Sequence, residues 1–183
     1  MIGKRAKRPI GLDEFDSGIF SIWNKRRMLL TSGEFVTGAL NAMPVSSGFF
    51  GQLWGVPAAI VFVRPQRRTF DFLEEYPTFT LCGFSDRKYQ EIIEQLGSVS
   101  GRDVPDKIAR AGLTPVAAKR VEAPIYREAE LAVECTRLCR GKLDGRNFFL
   151  KALIEEHYPD RDYHNFYIGR IEAVTGTGKY VKE

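Results

Sequence analysis

A chain of 183 residues, 44% apolar and 27% charged, has the size and composition of one globular domain spanning 1–183, able to bury a core without staples. The formal net charge of +4 is too mild for a nucleic-acid footprint, and the longest apolar run, about Val56 to Val63, is far too short to cross a membrane. Three cysteines, an odd number, argue against a disulfide framework and for a reducing, cytoplasmic setting.

Lys4, Arg5, Lys7 and Arg8 precede any periodic segment, so 1–10 reads as a frayed basic terminus, with no apolar stretch behind it to make a secretory signal. Met28 to Thr31 and Phe35 to Leu40 read as strands flanking a Ser32-Gly33-Glu34 turn. Asn41 to Gly48 follows as a polar, glycine-bearing loop. The continuous apolar run Ala58 to Val63 predicts a strand buried on both faces. Thr69 to Glu75 fits a short helix with Asp71 in its first turn. Thr78 to Phe84 alternates, with Phe79 and Leu81 on one face and threonines on the other. Asp86 to Leu96 carries Tyr89, Ile92, Ile93 and Leu96 at helical spacing, with Ser85 as N-cap and Gly97 as terminator. Pro105 to Ala111 is a short helix ended by Gly112. Leu131 to Cys139 is a long strand, which sets Cys135 and Cys139 roughly 13 Å apart, too far for a disulfide, as buried free thiols. A helix over Asn147 to Tyr158, stopped by Pro159, and a strand over Tyr163 to Val174 complete the chain. Scattered short helices among these strands predict a mainly β fold with helical insertions, a barrel, and not alternating βαβ units.

The chemistry concentrates in a few segments. Arg64, Arg67, Arg68 and Thr69 combine cations with a hydroxyl at a helix start, a set that suits a phosphate. From these residues alone, a solvated charge run at a strand end is an equal reading. Asn41, Met43, Val45 and Ser46 read as a turn-capping loop with a core methionine. Ser100-Gly101-Arg102-Asp103 with Lys107 reads on its own as a loop leading into a helix, although glycine beside hydroxyl and cationic groups also allows an anion to approach. His157 and His164 lack partners at zinc-ligand spacing, so no metal site is expected. Thr175-Gly176-Thr177-Gly178-Lys179 lacks the spacing of a phosphate loop, and no Gly-x-Gly-x-x-Gly is present, so a nicotinamide dinucleotide has no dedicated Rossmann site.

In order and spacing, these segments resemble the flavin reductase-like family, the flavoredoxin relatives with an FMN-binding split β-barrel. Members read Asn-x-Met-Thr-x-Ser-Trp-Gly, then Leu-Trp-Gly-x-Pro, then Val-Arg-Pro-x-Arg-x-Thr. Asn41, Met43, Ser46 and Gly48 match the first motif; Leu53, Trp54, Gly55 and Pro57 the second; Val63, Arg64, Pro65, Arg67 and Thr69 the third. Ser100 to Asp103, Lys107, Tyr158-Pro159 and Asp162-Tyr163-His164 match further on, so the resemblance covers about Leu29 to Val174.

The resemblance implies FMN as cofactor. It places Asn41, Met43, Val45 and Ser46 along the ring, mainly through backbone N–H groups, Arg64, Arg67 and Thr69 at the phosphate, and Ser100 and Lys107 beside them. It implies a homodimer, NAD(P)H as a transient donor and an electron acceptor of unknown identity. The activity implied is that of an NAD(P)H-dependent flavin reductase or a flavoredoxin-like electron carrier, with His164 as a candidate proton relay. Two departures keep other readings open. Pro44 replaces Thr and has no N–H to donate, and Ser47 replaces a Trp wall. The alternatives are a non-enzymatic flavin-binding electron-transfer or sensor protein, and a barrel that takes another phosphorylated ligand. Val104-Pro105 stands where the family often has one residue, which would displace Lys107 by one position.

Overall fold

The computed structural model describes residues 7–12, 14–16, 18, 22–23, 28–84 and 86–181. Among these residues the elements are, in chain order, β1 (Arg8–Ile10), β2 (Met28–Gly33), β3 (Leu40–Val45), β4 (Gly48–Leu53), β5 (Val56–Val63), α1 (Arg68–Glu75), β6 (Thr78–Gly83), α2 (Arg87–Ser98), α3 (Lys107–Arg110), β7 (Pro115–Val116), β8 (Ile125–Tyr126), β9 (Leu131–Lys142), α4 (Ala152–His157) and β10 (Asn165–Gly176). Eight strands form one antiparallel sheet in the order β3-β2-β6-β9-β10-β5-β4, with β1 added to β10, while β7 and β8 make a separate small ribbon. This is the mainly β fold with helical insertions that the alternation predicts.

The sheet coils around one core. Met28, Leu30, Val45, Val61, Phe79 and Leu81 point inward, together with Val133, Tyr167 and Ile171. The opposite faces of β2, β3 and β6 are also covered: Leu29, Ala42 and Cys82 meet Ile93 and Leu96 of α2, Ile108 of α3 and Tyr126. No such helical cover lies over β5 and β10 among the described residues. Ile60 and Phe62 are therefore half-buried and Phe49 is exposed, so β5 is not buried on both faces as its apolar run suggests.

Several expectations shift. The strand expected at Phe35 to Leu40 is a turn, and the strand lies at Leu40–Val45, where a loop is expected. Proline at position 44 argues against a strand interior, but β3 is the edge of the sheet, where a missing ladder donor costs little. β4 has no counterpart in the sequence reading. It pairs with β5 through the two-residue loop Trp54-Gly55, whose φ angles of 54° and 75° are those of a type I′ hairpin turn. Trp54 stands 79% exposed at that tip.

Helix α2 runs through Gly97 instead of ending there, because α2 packs against β3 at this point: a Cβ on Gly97 would lie 2.7 Å from Cγ of Pro44. Its N-cap is Asp86, which accepts from the Lys88 amide at 2.9 Å, while Ser85 lies outside the described residues. The helix expected over Asn147 to Tyr158 is a 3-10 turn at Gly145–Asn147 followed by α4, because Phe148 turns in against Tyr158 and Tyr163. The frayed terminus is corrected at 8–10, where β1 pairs with β10 and buries Ile10; Lys4 and Arg5 lie outside the described residues. Cys82 and Cys135 are buried free thiols, but Cys139 is exposed, since β9 has left the covered part of the sheet there.

Candidate functional site

The expected site residues gather where the open edge strand β3 comes alongside β5. Four segments meet there: the 64–67 turn after β5, the 46–47 connection with the start of β4, the C-terminal end of α2, and the 158–164 segment after α4. Ser46, Ser47, Phe49, Phe62, Tyr158 and His164 line a cleft of about 380 Å³. It lies within the size range of small-molecule sites, with aromatic walls and few polar groups.

The three predicted phosphate residues are not equivalent. Arg64 forms a close ion pair with Asp162, donates to the His157 carbonyl at 2.8 Å, and lies 5.2 Å over the Tyr158 ring. Its guanidinium is thus engaged in pinning the 157–164 segment against β5. Gln66 supports the pin by donating to Asp162 at 2.6 Å. The Gln66 hydrogen bond, then the Arg64 contact, hold the Asp162 carboxyl below its ordinary pKa. The second oxygen of Asp162, Oδ1, is buried and has no partner among the described residues.

Arg67 is the accessible cation. It is exposed and donates once, to the Gly97 carbonyl at 3.2 Å. Thr69 is fully buried, and its hydroxyl accepts from Asn41 Nδ2 at 2.7 Å, leaving its own hydrogen to donate. Lys107 is 6% exposed and donates to the carbonyls of Leu96 at 3.3 Å and Val99 at 3.0 Å, capping the end of α2. Burial, and then the nearby Arg67, push its pKa down to about 8. The Ser100 hydroxyl accepts from the Arg102 amide at 3.1 Å, which is the helix-leading turn its sequence suggests. Arg68 faces elsewhere, pairing with Asp71 at 2.9 Å and lying 4.9 Å over Phe72.

Along β3 the side chains of Met43 and Val45 go into the core, so what they offer a ligand comes from the edge of the backbone. Asn41 is buried against Thr69, and Ser46 is exposed in the cleft wall. His164 lines the same cleft and is half-buried. Burial first, then Arg64, lower its pKa, which favours the neutral imidazole.

The sequence reading missed Gln66, which needs the fold to meet Asp162, and the walls Phe49 and Phe62. A signal for Phe49 existed: two adjacent phenylalanines on a strand must face opposite ways, and Phe50 packs against the core. A second cleft, about 480 Å³, lies beyond Asn41 and is lined by Leu40, Arg68, Phe72, Gly101 and Arg102. Among the described residues no group of His, Cys, Asp or Glu is placed to hold a metal ion, and no helix is long and apolar enough to cross a membrane.

The donor set fits FMN. An edge strand and an aromatic cleft suit a flat ring with a polar rim, and Arg67, with N–H groups to spare, and the third N–H of Lys107 suit a phosphate. The orphaned Asp162 oxygen asks for a donor such as a hydroxyl, the group a ribityl chain carries.

Comparison with known proteins agrees with this geometry. The chain matches the flavin reductase like domain over residues 25–181. Among solved structures it is similar to an FMN-binding domain of a flavin reductases-like enzyme from Shewanella baltica, with TM-score 0.68 and 13% identity, covering 94% of this chain and 78% of that one. The flavoredoxin of Desulfovibrio vulgaris aligns with TM-score 0.62 and 20% identity over 98% and 76% of the two chains. Nitrilotriacetate monooxygenase component B from Bacillus cereus aligns with TM-score 0.64 and 21% identity over 96% and 84%. Comparison with curated proteins gives no match. The family match spans most of the chain, and the fold is that of the split-barrel neighbours: the chain belongs to the flavin reductase-like domain family.

Proposed function

We propose that the chain binds FMN non-covalently and works as an NAD(P)H-dependent flavin reductase or a flavoredoxin-like electron carrier. The observation that carries this reading is the cleft lined by Ser46, Phe49, Phe62 and His164, with the exposed Arg67 near enough to His164 to lower its pKa. A bound flavin supplies hydride acceptance and electron release at its ring nitrogens. Arg67 and the third N–H of Lys107 would hold the phosphate, with Thr69 buried behind them against Asn41. The β3 edge, with Ser46, offers hydrogen bonds to the polar rim of the ring, and Arg64 keeps the 157–164 segment, with His164, over the cleft. Nicotinamide docks in the same open cleft, since no separate dinucleotide motif is present.

The second reading, a flavin-binding carrier or sensor without its own NAD(P)H oxidation, is favoured by Pro44, which removes one amide from the β3 edge. Anaerobic mixing of the FMN-loaded protein with NADH and with NADPH separates the two. Bleaching of the flavin at catalytic rates supports the reductase, and no bleaching with either donor supports the carrier. The functional unit in this proposal is a homodimer. Phe49, 60% exposed, and Trp54, at the tip of the β4–β5 hairpin, supply the apolar surface for it. Sedimentation at micromolar concentration is expected to give a dimer; a monomer that still holds FMN tightly refutes this.

A further inference from the structure

Resting on the flavin-site reading, the 157–164 segment carries an assignment one residue beyond it. The Tyr158 hydroxyl lies 2.8 Å from Nδ1 of His164. The Tyr158 ring has little freedom to swing. It is 8% exposed, sits 5.0 Å from the Tyr163 ring, meets Phe148 edge-on at 5.9 Å, and has the Arg64 guanidinium over its face at 5.2 Å. The His164 ring stands nearly perpendicular to it, at 81°. We propose that Tyr158 is a positioning residue. Its hydroxyl donates to Nδ1 of His164, so that Nε2–H faces the cleft as a neutral donor for a carbonyl oxygen or ring nitrogen of the bound ligand.

Two arguments set the direction of that hydrogen bond. A phenol is a good donor and a weak acceptor, and no other described residue offers the Tyr158 hydroxyl an acceptor. The imidazole must also be neutral. The groups facing it are Arg64 at the end of β5, Arg67 in the next turn, Asp162 and Tyr163 beside it in the chain, and Tyr158 itself. Burial and the two arginines outweigh Asp162, and hold its pKa below the usual histidine value. With Nδ1 accepting, the single proton of the ring is on Nε2, and no described residue engages that nitrogen. A neutral donor here selects ligands that present an acceptor atom, without placing a charge over the ring.

The test uses Tyr158→Phe, which keeps the packed ring and removes only the hydroxyl. Side-chain ¹⁵N–¹H correlation spectra of the ligand-free protein report each imidazole nitrogen. The chain has two histidines, so His157→Gln assigns the signals. At pH 7 His164 is expected to carry its proton on Nε2, with an Nδ1 shift typical of an accepted hydrogen bond that is lost in Tyr158→Phe while His157 is unmoved. A proton on Nδ1 in the wild-type protein, or a His164 spectrum that Tyr158→Phe does not alter, overturns the assignment. In the FMN-loaded protein, Tyr158→Phe is expected to hold FMN within about threefold and to slow reduction by NAD(P)H about tenfold, the scale of one hydrogen bond. Adding it to His164→Gln should slow reduction no further, and additive losses also overturn the proposal. A wild-type protein that NAD(P)H does not reduce refutes the reductase reading alone, since the spectra of the ligand-free protein decide the role of Tyr158 without it.

Discussion

Removing the guanidinium of Arg67 separates a ligand contact from a structural one. Arg67 is exposed and makes one protein hydrogen bond, to the Gly97 carbonyl at 3.2 Å. Losing an exposed bond of this kind costs the fold about 0.5 kcal/mol or less. Its unused N–H groups are the ones free for a phosphate, so Arg67→Ala should weaken FMN binding by about 1.5–3 kcal/mol, or about 10- to 150-fold. Arg68 is the internal control. It pairs with Asp71 at 2.9 Å and covers Phe72, so Arg68→Ala should cost FMN affinity less than about 0.5 kcal/mol. Arg64→Ala is a different case, because it leaves the Asp162 carboxylate with Gln66 but no cation and frees the 157–164 segment, and it should lower stability as well as affinity. The assay is titration of the ligand-free protein with FMN and with riboflavin, followed by flavin fluorescence, alongside urea unfolding of each variant. Riboflavin affinity should be the same in wild type and Arg67→Ala. The reasoning fails if riboflavin binding drops as far as FMN binding, or if Arg68→Ala is the more damaging change.

Three further outcomes follow from the geometry. Glu134 is fully buried and accepts from the amides of Lys119, at 3.1 and 3.0 Å, and Arg120, at 2.7 Å, so Glu134→Gln should destabilise the fold by about 2–4 kcal/mol in urea unfolding without touching the ligand cleft. Lys107 titrates near pH 8 in the folded chain, below its unfolded value, so the unfolded state holds the extra proton between about pH 8 and 10.4 and stability contributed by this group rises across that window. The same deprotonation removes a cation from the phosphate end: FMN affinity should fall as pH rises through and beyond 8, and Lys107→Met should flatten that dependence in fluorescence titrations. Ser47→Trp should fill part of the cleft, leave FMN affinity within about threefold, and slow large electron acceptors more than small ones; loss of FMN binding would instead put residue 47 beneath the ring.

What the sequence made legible follows the strength of each physical signal. β9 and β10 are long, at 12 residues each, and β6 is buried throughout, so their apolar and β-branched content is legible as strand from the sequence. β3 was not readable. Asn41, Pro44 and Ser46 carry loop chemistry, and only its place at the edge of the sheet makes that composition compatible with a strand. Gly97 departs from its sequence signal for a related reason. A glycine near a helix end ordinarily marks a C-cap, whereas here the missing Cβ lets α2 lie on Pro44, a contact between segments far apart in the chain.

The same distinction runs through the site. A motif can show that Arg64, Arg67, Thr69 and Lys107 are donors of the right kind, but which donors are already committed depends on partners the motif does not contain. Arg64 meets Asp162, 98 positions away, and becomes a clamp; Lys107 caps α2; Thr69 is shut in beneath Asn41. Arg67, with one weak internal partner, keeps the most capacity for an outside anion. Two groups stand within one site and differ by how they are spent. The clamp holds the 157–164 segment, with Tyr158 and His164, against the cleft, while Arg67 keeps most of its N–H groups for a ligand. A substitution at either arginine therefore reaches a ligand, but by separate routes. Loss of Arg67 should act on FMN affinity through the phosphate, and on His164 only through its charge, while loss of Arg64 should act through the wall that carries His164, so the two variants together should lose close to the sum of their separate affinity losses.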